Sequence, residues 1–290
     1  MNKKNPLHEG AMSHSQLGEC MKRFVFRSIF SRYVISYAAV MAILYIGVGI
    51  YVSNSYGSAI RASIVEENTN RLSSLRMQHD EKLSAMISIT SQLGLSSYIA
   101  PFKLEENPMK AYYLKQHLSS YSSPDNFFDQ LYVIYHSDNY LYSSNTTVSV
   151  DLFINQLMYY ENLSSDDLLV LLRKNDDTLT MLPALNVQSI LITNSNKKMI
   201  TFIIPLRLDG RFNIGNVLFH IREDMYQKMF ADEIDQPRNM YIFHGDEIIS
   251  AIRRIDIPDK IILDAINGRE ENSFSDLTSE DGTRYLLFVQ

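Results

Sequence analysis

Apolar and polar positions alternate with three different periods along this chain. From Tyr33 to Ile60 there is no alternation at all: 28 consecutive residues carry no charge, and the stretch Val34 to Val52 is almost wholly apolar. A helix rises ~1.5 Å per residue, so ~20 such residues cross a ~30 Å hydrocarbon layer. From Ser58 to about Tyr98 the period becomes helical. Ile64, Leu72, Leu75, Leu83, Met86, Thr90 and Leu93 share one stripe, which Asn68 and His79 interrupt. Leu72 and Leu75 recur eleven residues later as Leu83 and Met86. Such a stripe serves a helix packed on its own domain or one paired with its copy in a dimer.

Pro101 and Pro108 break that helix, and Met109 to Ser120 predicts a short second one. After the turn at Ser122-Ser123-Pro124-Asp125 the period shortens. Phe128 to Tyr135 and Tyr140 to Ser143 predict a hairpin around Asp138-Asn139. Asp151 to Tyr160 reads as a helix capped by Asp151 or Ser149, and Asp166 to Lys174 as another. Met199 to Leu208 and Ile214 to Ile221 flank Asp209-Gly210-Arg211 as a second hairpin. Glu223 to Ile234 has acids in its first turn, as a helix dipole favours. Strands follow at Met240 to Phe243, Glu247 to Ile252 and Tyr285 to Val289, with a helix over Pro258 to Asn267 stopped by Gly268. Hairpins dominate, so the expected class is α+β with antiparallel sheets.

Charge orients the apolar run. Residues 1–52 hold six basic and two acidic residues, a balance of +4; the rest holds 21 basic and 31 acidic, a balance of −10. Lys22, Arg23, Arg27 and Arg32 lie just before the run, so the N-terminus is expected inside and the bulk outside. A cleaved signal peptide would have a shorter apolar core of ~7–15 residues, and Ser55-Tyr56-Gly57 is the one cleavage candidate. The polar first 20 residues make Met21 the expected initiator. An acidic outer part argues against nucleic-acid binding, which needs cationic surface. Cys20 is the single cysteine, so the outer part has no disulfide and fits bacterial export.

The outer part resembles a double Cache domain, the extracellular sensor module of many bacterial receptors. The features that carry this are the anchor helix running into a stalk, two successive hairpin-rich sheets, and the ending Asp281-Gly282-Thr283-Arg284-Tyr285-Leu286-Leu287-Phe288-Val289. The stretch Phe26 to Tyr37 (FRSIFSRYVISY) is similar to the start of membrane-bound AraC-type transcription regulators of Gram-positive bacteria; sensor histidine kinases begin similarly. The resemblance spans about 24–290. It implies residues 1–32 as a cytoplasmic segment, 33–53 as a transmembrane helix, 54–100 as a stalk, 101–235 as a membrane-distal PAS-like lobe and 236–290 as a membrane-proximal lobe. The second lobe reads as truncated, because the chain stops right after a core-like strand, and any output domain would lie beyond residue 290.

The chain lacks GxSxG, a phosphate loop, HExxH and a cysteine pair, so no enzyme, cofactor or metal is expected. His244-Gly245-Asp246-Glu247 reads as a solvated turn and His220 as a core or rim histidine. The resemblance implies a small-molecule ligand held between the first sheet and its covering loops. Tyr132, Tyr135, Tyr140 and Tyr142 crowd the first hairpin with Asp138 at its turn, and Arg207 is the expected carboxylate partner. The amino-acid-binding Cache motif includes Trp, and this chain has none. The expected partners are the lipid bilayer, a small molecule and a second copy through the stalk. The alternatives are the sensor part of a histidine kinase and a surface-anchored interaction protein without small ligand.

Overall fold

The computed structural model describes residues 29–96, 103–121, 127–189, 197–231, 239–255, 257–267, 273–278 and 284–289. The expected initiator, the turn at 122–125, the end of the 223–234 helix, Gly268 and the Asp281-Gly282 turn lie outside the described residues. The class is mixed α+β, with one long N-terminal helix and a curled antiparallel seven-stranded sheet.

The chain divides between Glu67 and Asn68 into two compact units. Helix α1 runs Ile29–Leu95. Within the first unit its uncharged stretch is bare: Tyr33, Tyr37, Tyr45 and Tyr51 are each at least 70% exposed. By length and composition this helix is long and apolar enough to cross a membrane.

In the second unit the predicted stripe meets the sheet. Leu75, Met86, Thr90 and Leu93 are buried, and Leu72 and Leu83 pack partly against the same core. Ile64 lies in the first unit and is 40% exposed. The side chains of α1 end against strand backbone at Gly94. A Cβ there would lie 2.0 Å from the Arg207 carbonyl oxygen, so only glycine allows this approach. Helix α2, Pro108–Ser119, places proline in its first turn, and Asn107 Oδ1 accepts from Lys110 N at 3.2 Å. It buries Ala111, Leu114 and Leu118 on one side.

The sheet consists of β1 (Gln130–Tyr135), β2 (Tyr140–Ser143), β3 (Thr147–Ser149), β4 (Met158–Tyr160), β5 (Thr180–Ser189), β6 (Lys197–Leu208) and β7 (Phe212–Arg222). Their order is β3-β2-β1-β7-β6-β5-β4, every pairing antiparallel. The β6–β7 hairpin turns through Asp209 (φ 49°) and Gly210 (φ 71°), the left-handed pair that a tight hairpin requires.

One predicted helix differs from the structure, and strands β3 and β5 fall where no element is predicted. The helix expected over 151–160 is a short α3 (Val150–Leu152), a π-helical turn (Phe153–Leu157) and then strand β4. Ser149 does cap it, accepting from Leu152 N at 3.3 Å. Met158 and Tyr160 are buried while Tyr159 is exposed, a period of two that helix-pattern reading overrode. Strand β5 lies where no element is predicted, and Pro183 falls inside it. The chain absorbs this proline in a bulge between Leu182 and Leu185.

The two sheet faces are covered differently. Leu131, Val133 and Tyr135 of β1 face α1 and α2, whereas Tyr132 and Ile134 face α3, the π turn and α4 (Ser165–Leu172). Helix α5 (Glu223–Ala231) adds Tyr226 and Phe230 to the α1 side.

Beyond it, β8 (Met240–His244) pairs with β9 (Glu247–Ile252), and β10 (Ser273–Thr278) with β11 (Arg284–Val289). Among the described residues these are two separate two-stranded ladders. Helix α6 (Asp259–Ile266) packs Ile262 into a small core with Ile257 and Leu277, to which Tyr241 and Phe243 of β8 contribute.

Candidate functional site

Of the six residues expected to form a site, the structure brings Tyr135, Asp138, Tyr140 and Tyr142 together and sets Tyr132 and Arg207 apart from them. Tyr132 is 1% exposed on the α3–α4 face, its ring 5.2 Å from those of Phe153 and His220. Tyr135 and Tyr142 are fully buried on the opposite, α1–α2 face, with ring centroids 5.9 Å apart, and Tyr140 packs beside them. Alternation along β1 separates Tyr132 from Tyr135, because successive side chains point to opposite faces. Asp138 is buried and accepts from the Tyr142 hydroxyl and from Asn139 N at 2.9 Å. Burial pushes the Tyr142 phenol up, and the Asp138 carboxyl adds to this. Burial likewise raises Tyr132 and Tyr135. Tyr132, Tyr135 and Tyr142 are core residues, and Tyr140 is half-buried against the α1 side.

The β1–β2 turn has a partner that sequence reasoning missed. Arg173, the residue closing α4, donates through one nitrogen to the Tyr135, His136 and Asp138 carbonyls at 3.0, 3.3 and 2.8 Å. Its other terminal nitrogen donates to Asn139 Oδ1 at 2.7 Å. One guanidinium thus satisfies three turn carbonyls and fastens α4 to the sheet. Asn216 joins the same seam, donating to the Leu172 and Lys174 carbonyls at 2.9 Å each. A lone arginine after a helix carries no sequence signal for this; only the fold brings 135–139 to it.

The α3–α4 face also holds a closed polar group. The Tyr160 hydroxyl lies 2.8 Å from His220 Nε2 and 3.3 Å from Thr201 Oγ1. Thr201 and His220 are fully buried and Tyr160 is 2% exposed, while His220 Nδ1 makes no hydrogen bond. Burial lowers the His220 pKa to about 3, so the ring is neutral. A hydroxyl between a threonine and an imidazole has the parts of a proton relay, but with no exposure it serves packing.

The open concavity lies elsewhere. A cleft of about 370 Å³ runs between the last turns of α1, the loop before β5 and the β6–β7 hairpin. Ile87, Leu95, Leu179, Ile204 and Pro205 form its apolar wall, and Thr90, Ser91, Asp177, Arg207 and Asp209 its polar one. Arg207 therefore does line a cavity, two strands away from β1. Its carboxylate partner is internal: Asp177 Oδ1 sits 2.9 Å from the guanidinium. Among the described residues no group of three or more His, Cys, Asp or Glu is placed to hold a metal ion.

Comparison with protein-family models gives no match, and no curated protein matches the chain.

Proposed function

We propose that this chain is the membrane-anchored extracellular sensor of a bacterial signalling or transcription regulator, of double Cache type, and that it acts without catalysis. One observation carries the reading. A single helix, Ile29–Leu95, holds both an uncharged 28-residue length and a stripe buried on an antiparallel sheet domain. A ligand that favours one packing of that stripe over another would move the helix; one indifferent to both would shift nothing. The antiparallel sheet, with a long helix on one face and short helices on the other, supports a PAS-like distal lobe. The ladders β8–β9 and β10–β11 would form the proximal lobe.

A cysteine placed downstream of Met21 supplies the test. In intact cells, in a Cys20→Ser background, cysteine introduced by Ser28→Cys should resist a membrane-impermeant maleimide until lysis, while cysteine introduced by Asp166→Cys should react at once. Labelling of the Ser28→Cys variant from outside would sink the sensor reading.

A second reading has an observation in its favour. Three of the four tyrosines expected to line a pocket, Tyr132, Tyr135 and Tyr142, are packed solid, which suits an interaction protein without small ligand. On that reading no small molecule would protect any cavity residue from modification.

A further inference from the structure

The cleft beside α1 differs from the packed tyrosines in being open, and its polar wall is unbalanced. Its volume of about 370 Å³ falls within the range of small-molecule pockets, ~300–1,000 Å³. Arg207 is the only cation in the wall, and Asp177 already neutralises it. Asp209 is a second carboxylate in the wall, with no cation paired to it among the described residues. The two hydroxyls donate into the helix itself: Thr90 to the Met86 carbonyl at 3.0 Å and Ser91 to the Ile87 carbonyl at 2.9 Å. Toward the cleft they offer lone pairs. Leu95, at the C-terminal end of α1, brings the negative pole of the helix dipole to the same wall. The polar side of the cleft therefore offers acceptors and one uncompensated negative charge, opposite a wall of five apolar side chains.

We infer that this cleft binds an amphipathic organic cation: a protonated amine, held near Asp209, on a compact apolar body that lies against Ile204 and Pro205. An anion would meet Asp209 and the helix terminus and would have to displace Asp177 from Arg207. This inference rests on the sensor reading, to which it gives a site and a ligand class. The occupant touches α1 and the β6–β7 hairpin at once, beside the contact where Gly94 rests on the Arg207 carbonyl. Binding there changes how the last turns of α1 sit on the sheet, which is the differential contact that a signal requires.

The test uses the full chain in detergent, with Cys20→Ser to remove the native thiol and Ser91→Cys to report on the cleft. Ser91 is exposed, so a small maleimide reaches that position. At ~10 mM, 2-phenylethylamine should slow labelling severalfold, while phenylacetate and 2-phenylethanol should not. Asp209→Asn keeps a residue that tolerates the left-handed backbone, and it should raise the half-protecting amine concentration about tenfold. Labelling unchanged by the amine would overturn the proposal, as would equal protection by phenylacetate or an Asp209→Asn variant that binds the amine unchanged. Because topology is read separately, at Ser28→Cys, loss of the sensor reading and loss of the cleft assignment give separate results.

Discussion

The two faces of the seven-stranded sheet are closed by different physics. Against α1 and α2 the contact is mostly apolar, completed by a helix–strand approach that only a glycine permits, with a long hydrogen bond from Asp209 N to the Gly94 carbonyl at 3.4 Å and the buried Tyr142–Asp138 bond. Against α3 and α4 the apolar core is fastened by polar bonds, half-buried at Arg173 and buried at Asn216 and the Tyr160–His220 pair. Apolar contact is non-directional, so it tolerates a helix shifting along the sheet. Hydrogen bonds to fixed carbonyls do not tolerate such a shift. The open cleft lies on the first face and the closed polar group on the second. The cleft proposed to take a ligand thus lies on the face held more by apolar contact than by directional side-chain bonds.

The sharpest way to break this comparison is at Gly94. Gly94→Ala sets a methyl against the Arg207 carbonyl, and neither backbone can yield cheaply. The expected cost is about 3 kcal/mol or more, read as a fall in denaturant midpoint. A neutral result would show that α1 does not rest on β6 as described.

On the other face, Arg173→Ala removes the guanidinium that donates to three turn carbonyls and to Asn139 Oδ1, at an expected cost of about 2 kcal/mol. Arg207→Ala removes a guanidinium whose partner Asp177 is 73% exposed, and should cost less than about 1 kcal/mol. If the two arginine variants proved equal, fastening by polar bonds would not distinguish the faces.

Acid should act through the second face. His220 takes up its proton near pH 3 in the fold and near its ordinary 6.5 when unfolded. Between these values the unfolded chain binds more protons, so stability falls as pH falls, by at most about 1.4 kcal/mol per pH unit. His220→Leu should flatten that part of the stability–pH curve relative to the parent chain. Tyr160→Phe is the smallest change on this face. It leaves His220 with no partner on either ring nitrogen and should cost about 1–2 kcal/mol at neutral pH, measured by chemical denaturation.

Periodicity made much of the architecture legible. The buried positions of α1 follow the stripe read from Leu72 to Leu93, because a helix exposes its pattern every three or four residues. Strand β2 matches its predicted span, and β1, β6 and β7 differ by a residue or two at their ends. Strands β4 and β5 were hidden for local reasons. Three residues are too few to show a period, and Pro183 is a signal against a strand that a bulge cancels.

The candidate site was far less legible. Tyrosine content and a turn aspartate marked the first hairpin, but pleating sends Tyr132 and Tyr135 to opposite faces, where both are packed. Arg207 stood out as a cation on an apolar strand, yet its partner Asp177 comes from a loop 30 residues away.

What the sequence determined by itself is therefore whatever depends on neighbours along the chain: the uncharged apolar helix, the stripe on α1, the hairpins and the α+β class. These follow from helical and strand periods and from the length of a bilayer-sized run. What only the tertiary structure decided is whatever depends on strand order and on which face is covered. The grip of Arg173 on the β1–β2 turn, the burial of His220 against Tyr160, and the cleft that joins α1 to Asp177 and Asp209 all unite residues 30 to 120 positions apart. No local pattern encodes such meetings, because they arise when the sheet closes.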